Sequence, residues 1–140
     1  MWVFCKHGAV SITERKYYQD GSDPQRSAGM QVRGRCKLQL EAIKEAYVDS
    51  PSAVVIYEWD TADYPYRFFI SRGGVEEMCR RMAEDIDYIN FKGSVEQDAS
   101  AGNIGNDLEW LSGGSYTQLL MAVWSAFARW GEARRKPIEG

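Results

Sequence analysis

The sequence predicts an α+β protein with a mainly antiparallel sheet of about four strands and helices on one face. Short segments with apolar side chains at every second position predict the strands. Longer segments with apolar side chains at helical spacing predict the helices. The chain has 140 residues, of which 44% are hydrophobic and 26% charged, which suits one globular domain over residues 1–140.

The N-terminal quarter of the chain predicts two strands joined by a long connection. Residues 2–13 alternate apolar and polar side chains and are predicted as one extended segment, with a bulge or bend at Gly8. Residues 16–29 contain Asp-Gly and Asp-Pro pairs and are predicted as a loop. Residues 30–35 alternate again and form the second strand.

A helix and a β-hairpin are predicted next. Residues 36–48 carry a broad apolar stripe, and Pro51 ends this helix because the residue before a proline avoids helical angles. Residues 53–59 and 66–70 are rich in β-branched and aromatic side chains, which is typical of paired strands.

The clearest helical pattern covers residues 72–89, with Ser71 as the N-cap. Its apolar positions recur at helical spacing and predict a core-facing stripe of Val75, Met78, Cys79, Met82, Ile86 and Ile89. Ion pairs four residues apart on the outer face contribute only a few tenths of a kcal/mol each, so packing must stabilise this helix.

The last third of the chain predicts a connection followed by a C-terminal helix. Residues 93–115 are acidic and rich in Gly and Ser, and are predicted as a connection. Ser115 and Gln118 form a capping box that opens an apolar helix. Gly131 is expected to end it, which leaves residues 131–140 as a tail.

The order of these elements predicts a particular sheet topology. Residues 30–89 read strand, helix, strand, strand, helix, which is most of a ferredoxin-like, split βαβ unit. Because no good strand follows Lys92, the N-terminal segment is expected to fill the vacant edge by pairing with residues 30–35.

Cysteine usage and hydropathy exclude several classes of protein. The three cysteines are widely spaced without a CxxC motif, so neither a disulfide framework nor a zinc site is predicted, and no cofactor is expected. The N-terminus reads as a strand and no apolar run is long enough to span a bilayer. A cytoplasmic protein without membrane contact is therefore predicted.

Two polar-aromatic motifs, "DYPYR" at 63–67 and "IDYINFK" at 86–92, are the candidate ligand- or partner-binding site. Their functional side chains are Asp63, Tyr64, Tyr66, Arg67, Asp87, Tyr88, Asn90 and Lys92. Arg67 and Lys92 can hold a phosphate or a carboxylate, and Asp63 or Asp87 can act as a base. The alternative is a turn lock, in which pairing between Asp and Arg67 holds the hairpin.

Over nearly its whole length the chain resembles a widespread family of small, uncharacterised bacterial proteins. The resemblance lies in "MWVF" at the N-terminus, "VRGR", "DYPYR", "IDYINFK" and "VWSAF" in the last helix. The chain departs from the family pattern at residues 93–115 and at Gly73-Gly74. The resemblance supports the predicted fold and the choice of motifs, and implies no activity.

Two further patterns suggest chemistry. Cys5 and His7 are two residues apart on a predicted strand and can approach each other, although nothing nearby supplies the rest of a nucleophilic site. Aromatic side chains on the predicted hairpin can stack on bases if one sheet face is bare, namely Tyr57, Trp59, Tyr64, Tyr66 and Phe68. No phosphate-binding glycine motif is present.

Charge is distributed unevenly along the chain. Residues 84–109 carry seven Asp and Glu against Lys92 alone, a net of −6. This predicts an acidic surface made by Glu84, Asp85, Glu96, Asp98, Asp107 and Glu109. Such a surface suits a basic partner, or imitates the phosphates of a nucleic acid.

These observations favour a small non-enzymatic protein that acts by protein–protein contact, with no catalytic residues assigned. One such protein is a phage or mobile-element inhibitor of a host defence system, similar to anti-CRISPR proteins, with a nucleic-acid-binding complex as its partner. The alternative, ranked below it, is an RNA- or nucleotide-phosphate-binding protein or enzyme that uses Arg67, Lys92, Asp87 and the tyrosines. A homodimer through the final helix or a sheet edge is a third possibility.

Overall fold

The structure is a computed structural model that describes residues 1–15, 29–100 and 116–135. The chain forms two compact units, Met1–Ile89 and Asn90–Gly140. Most of the predicted loop at 16–29, the later part of the predicted connection at 93–115 and the end of the predicted tail lie outside the described residues.

The first unit contains a five-stranded antiparallel sheet, which confirms the α+β class. The strands are β1 (Trp2–Cys5), β2 (Gly8–Glu14), β3 (Met30–Gly34), β4 (Tyr57–Glu58) and β5 (Tyr66–Ile70). They lie in the order β1-β2-β3-β5-β4, and every neighbouring pair is antiparallel.

The fifth strand arises at the N-terminus, where about four strands in total had been expected. Residues 2–13 form two strands because the chain reverses at Lys6 and His7, and β1 pairs with β2. Gly8 makes this reversal possible with φ of 143°, a conformation that side chains with a Cβ rarely adopt. The predicted bend at Gly8 is therefore a complete hairpin turn.

The N-terminal hairpin forms the edge of the sheet next to β3, for which residues 30–89 provide no strand. β2 pairs with β3, which confirms the predicted pairing of the N-terminal segment with residues 30–35. On the other side of β3, β5 lies between β3 and β4. Because β5 is antiparallel to both, β3 and β4 are parallel to each other, and the helix α1 (Lys37–Tyr47) lies between them in the chain.

Two helices, α1 and α2 (Arg72–Glu84), pack on one face of the sheet. Their buried side chains join those of the strands in one core that includes Val32, Leu40, Ile43, Phe68 and Met78. The predicted strand at 53–59 is shorter than expected, because Pro51–Ala53 form a 3-10 turn before β4 begins at Tyr57. A proline suits the first turn of such a helix, since its fixed φ is already helical.

Helix α2 ends five residues before the predicted end at residue 89. Acidic side chains at 84, 85 and 87 lie at its C-terminal end, where the helix dipole disfavours negative charge. Outside the helix, Asp85 accepts a hydrogen bond from Tyr47 at 2.6 Å and Asp87 pairs with Lys6 at 2.5 Å. These contacts hold the chain in a non-helical path, and Ile86 and Ile89 are exposed instead of joining the core.

The second unit contains α3 (Phe91–Ser100) and α4 (Tyr116–Arg135), which contact each other. α3 lies in the first part of the predicted connection. Asn90 begins it, because its side-chain oxygen accepts a hydrogen bond from the amide of Gly93 at 3.1 Å. α4 continues beyond Gly131, which shows that a single glycine does not end this helix. In the described part of the chain, no helix has the length and hydropathy needed to cross a bilayer.

Candidate functional site

The sheet face opposite α1 and α2 carries cationic, polar and aromatic side chains. Residues such as Val10, Ile12 and Val32 point into the core, so their strand neighbours point to the other face. One row of directly paired residues on that face crosses all five strands, and consists of Trp2, Ser11, Arg33, Arg67 and Tyr57. We name this surface the arginine face, and its guanidinium groups belong to Arg15, Arg33, Arg35 and Arg67.

Arg67 is the most buried of these arginines, with 6% of its surface exposed. Its Nη2 donates a hydrogen bond to the backbone oxygen of Tyr64 at 2.8 Å. Its guanidinium lies over the ring of Trp59, 3.8 Å from the centroid, where a cation–π contact is favourable. Both contacts close the connection between β4 and β5. The predicted turn lock assigned this role to pairing with an Asp side chain, whereas the contacts described here are with Tyr64 and Trp59.

Arg33 and Arg35 lie next to the aromatic ring of the same connection. Their guanidinium carbons are 4.9 and 5.1 Å from the centroid of Tyr64. Nη2 of Arg33 donates to the hydroxyl of Ser11 at 2.8 Å, while its Nε has no hydrogen-bond partner among the described residues. Arg35 is exposed. The guanidinium of Arg35 is therefore open to a ligand, whereas Nε of Arg33 is buried and only the outer part of its partly exposed side chain can be reached.

Arg15 covers the far end of this face. Its guanidinium lies 4.8 Å from the centroid of Phe69, whose ring also contacts Tyr57 and Trp59. Nη1 of Arg15 is buried without a hydrogen-bond partner in the described part of the chain. A buried guanidinium N–H with no acceptor is costly, and an anion that reached it would remove that cost.

Within the described ranges, Arg15, Arg33 and Arg35 take part in no ion pair. The ion pairs there join Lys6 to Asp87, Arg72 to Glu14, Arg80 to Glu77 and Glu84, and Arg81 to Asp49 and Glu77. Moreover, Arg33 lies directly opposite Arg67 on the neighbouring strand, and like charges in that position repel each other.

The residues of the second motif that lie in the first unit contact the N-terminal hairpin. Lys6 pairs with Asp87 at 2.5 Å, and its ammonium lies 5.3 Å from the ring centroid of Tyr88. The hydrogen bond from Lys6 holds the pKa of Asp87 below its usual value. Burial raises the pKa of Tyr88. These contacts attach the segment after α2 to the β1–β2 turn.

The two predicted motifs have separate sets of contacts. Strand register places the β1–β2 turn and the β4–β5 connection at the same end of the sheet, with β3 between them. Arg67 and Tyr64 contact each other, and Asp87 and Tyr88 contact Lys6.

The remaining residues of the predicted site have other surroundings. Tyr66 packs against the core, and burial, followed by the carboxylate of Glu58, raises its pKa. Asp63 is exposed. In the second unit, Asn90 caps α3 and the ammonium of Lys92 lies 5.4 Å from the ring centroid of Trp124.

A surface depression of about 310 Å³ lies beside the N-terminal turn, lined by His7, Ala46, Tyr47, Arg81, Glu84 and Asp85. The ring of His7 meets the edge of Tyr47, with 5.4 Å between centroids. Cys5 is buried nearby, its thiol donates to the oxygen of Gly8 at 3.4 Å, and burial raises its pKa to about 11. A thiol that stays neutral at pH 7 is a poor nucleophile, so this arrangement does not favour a Cys–His reaction centre.

The predicted acidic surface is described only in part. Glu84 pairs with Arg80, Asp85 accepts the hydrogen bond from Tyr47, and Glu96 is exposed. The side chain of Asp98 and all of Asp107 and Glu109 lie outside the described residues. Within the described ranges, no group of three or more His, Cys, Asp or Glu side chains is arranged to hold a metal ion.

Arg15, Arg33 and Arg35 were not among the predicted site residues. A signal for two of them was present, because "VRGR" places Arg33 and Arg35 two residues apart and hence on one face of a strand. Comparison of the chain with protein-family models, with curated proteins and with solved structures gives no match.

Proposed function

We propose that this protein binds a phosphate-bearing ligand, of the RNA or nucleotide class, on the arginine face. The proposal is based on Arg33 and Arg35, which lie beside the ring of Tyr64 and form no ion pair in the described part of the chain. A guanidinium group matches two phosphate oxygens at once, which makes arginine the usual residue for this task.

The contacts of Arg33 and Arg35 suit a role in ligand binding better than a role in stabilising the fold. The ring of Tyr64 restricts both guanidinium groups, so less conformational entropy is lost when they bind a ligand. The repulsion between Arg33 and Arg67 falls when an anion lies between or above them. Arg67 donates a hydrogen bond to the backbone oxygen of Tyr64, so we assign it a structural role and assign the main ligand contacts to Arg33 and Arg35.

Replacing Arg35 with alanine is expected to weaken the binding of a short inorganic polyphosphate about threefold to tenfold, because one exposed charge-assisted contact is lost. Isothermal titration calorimetry at low ionic strength measures the change. Arg72→Ala is the matched control, since Arg72 is an exposed arginine on α2, away from this face.

Two results of the polyphosphate experiment would contradict binding on the arginine face. If wild-type protein does not bind polyphosphate, or if Arg35→Ala and Arg72→Ala weaken binding equally, the arginine face is not the binding surface. Added salt should also weaken the wild-type interaction steeply, because phosphate contacts release counterions.

Protein–protein contact is the second candidate function, and a feature of α4 favours it. Trp124 and Phe127 are 60% and 69% exposed, and Met121 and Trp130 are also exposed on this helix. Large apolar side chains in contiguous exposed patches mark interaction surfaces. An inhibitor of a host defence system, or a homodimer, would use such a helix. The acidic surface supports this proposal less, because Glu84 and Asp85 have partners within the chain.

A double substitution in α4, Trp124→Ala with Phe127→Ala, tests this second candidate. If α4 forms a homodimer, light scattering should give twice the monomer mass for wild type, and the double variant should be monomeric because the buried apolar area is lost. Monomeric wild-type protein that also recovers no partner from a lysate, in the same manner as the double variant, would contradict contact through α4.

We also propose a ferredoxin-like topology, a relationship to small bacterial proteins and a cytoplasmic location. The position of β5 between β3 and β4, which α1 connects, supports a ferredoxin-like plan whose outer strand is replaced by β2. The resemblance to small bacterial proteins rests on the quoted motifs. Free thiols at Cys5, Cys36 and Cys79 support action in the cytoplasm, where thiols stay reduced.

A further inference from the structure

The arginine face has an exposed aromatic ring at one edge. Trp2 is 72% exposed, and it lies on this face because its strand neighbours Val3 and Cys5 pack against the core. It pairs directly with Ser11, which pairs with Arg33. A flat aromatic side chain and a guanidinium group therefore stand in one row across three strands.

The spacing of this row fits a polymer better than a small molecule. Neighbouring strands lie about 4.8 Å apart, so Trp2 and Arg33 are separated by about 10 Å and the five-strand row spans about 19 Å. Sheet faces of this width bind two or three nucleotides in known single-strand-binding domains. A base on Trp2 together with phosphates on Arg33 and Arg35 therefore needs a ligand with more than one phosphate that extends from β1 to β3.

The shape of the surface favours single strands over a duplex. Stacking on an indole needs a base whose faces are free, and the bases of a duplex are already stacked on each other. Reading a duplex groove needs a protruding helix or β-ribbon, whereas this surface is the face of a sheet. Every base has a flat aromatic face, so this recognition does not depend on sequence.

We infer that the ligand of the arginine face is a single-stranded nucleic acid, with one base stacked on Trp2 and the backbone phosphates on Arg33 and Arg35. This inference rests on the proposed function and adds the bases to it. The positive charge of the face complements the phosphates, and the exposed indole supplies the contact that inorganic polyphosphate cannot use.

Replacing Trp2 with alanine tests the inference, because the exposed ring contributes little to the fold. Fluorescence anisotropy with a labelled single-stranded RNA should show about tenfold weaker binding, since stacking on one aromatic residue contributes on that order. Trp2→Phe should retain most of the affinity. Leu38→Ala is the control, since it removes an exposed large apolar side chain from α1, on the opposite face of the sheet, and should leave the affinity unchanged.

Binding measurements with single-stranded RNA, its duplex and polyphosphate distinguish failure of this inference from failure of the proposed function. The single strand should bind at least tenfold more tightly than its duplex with the complementary strand, and Trp2→Ala should leave polyphosphate binding unchanged. Equal affinity for strand and duplex, or for wild type and Trp2→Ala, overturns the inference while Arg35-dependent polyphosphate binding stands. Equal binding of polyglutamate also overturns it, because a surface for acidic protein would then be indicated. Absence of polyphosphate binding overturns the proposed function itself.

Discussion

Arg67→Ala is expected to lower the free energy of unfolding by about 2–3 kcal/mol, since a buried charged hydrogen bond and a cation–π contact are lost together. The substitution leaves the carbonyl of Tyr64 without its donor and removes the guanidinium from the ring of Trp59. The β4–β5 connection then has less to hold it in place. In a thermal melt, the midpoint should fall by about 10 °C.

The same variant distinguishes a turn lock from a ligand contact. Well below its melting temperature, Arg67→Ala should still bind polyphosphate within a few-fold of wild type, because Arg33 and Arg35 remain. Arg67→Lys should not restore stability, because an ammonium cannot both stack on Trp59 and reach Tyr64. Unchanged stability together with lost binding would contradict this account of Arg67.

Among the described glycines of the first unit, Gly8 is expected to tolerate an added methyl group least, and Gly8→Ala should lower the free energy of unfolding by about 3 kcal/mol from strain and overlap combined. Gly8 has φ of 143°, which a residue with a Cβ avoids. An added Cβ would also lie 2.7 Å from Cβ of Gln39, which is almost fully buried in α1. Denaturant unfolding measures the loss.

A second substitution separates the two causes of this loss. Gly8→Ala with Gln39→Ala should recover part of the stability relative to Gly8→Ala alone, because the overlaps with Cδ and Oε1 of Gln39 are removed, while the overlap with Cβ and the backbone strain remain. Gly29→Ala is the matched control, since no atom lies within 4 Å of its added Cβ, and it should change stability by less than about 0.5 kcal/mol. Equal stability of the Gly8 and Gly29 variants would mean that the tight turn does not depend on glycine.

The elements with strong periodicity could be predicted from the sequence. In α1 and α2 the apolar residues recur at helical spacing, and in β3 and β5 they alternate with other residues. These patterns are strong enough to predict the α+β class from the sequence. The turn at Lys6 and His7 could not be predicted, because neither residue is a turn former and one glycine suits a bulge as well as a reversal. α3 was not predicted, because its residues lie in a segment rich in Gly and Ser and Asn90 was the single capping residue that indicated a helix.

The candidate site was harder to predict than the fold, for a physical reason. Arg67 lies in the predicted "DYPYR" motif, but its contacts with Trp59 and Tyr64 depend on the geometry of a hairpin, which a sequence does not give. Alternation places Arg33 and Arg35 on one face of β3. Only the register with β2 and β5 shows that this face lies away from the helices.

The charge of the whole chain was also a poor guide to the surface of its sheet. The net charge of −3 and the acidic block favoured a basic partner. Acidic side chains at residues 77, 84 and 87 are paired with Lys6, Arg80 or Arg81, while Arg33 and Arg35 have no ion pair within the described ranges. A local positive surface can therefore exist on an acidic protein, and its local potential governs what binds there.

We propose that phosphate groups bind the sheet face formed by β2, β3 and β5, and nuclear magnetic resonance can locate the bound surface residue by residue. Titration of isotope-labelled protein with polyphosphate should shift the backbone amide signals of Ser11, Arg33 and Arg35, while those of α2 stay in place. Shifts confined to α4, or to the depression around His7 and Tyr47, would contradict the claim.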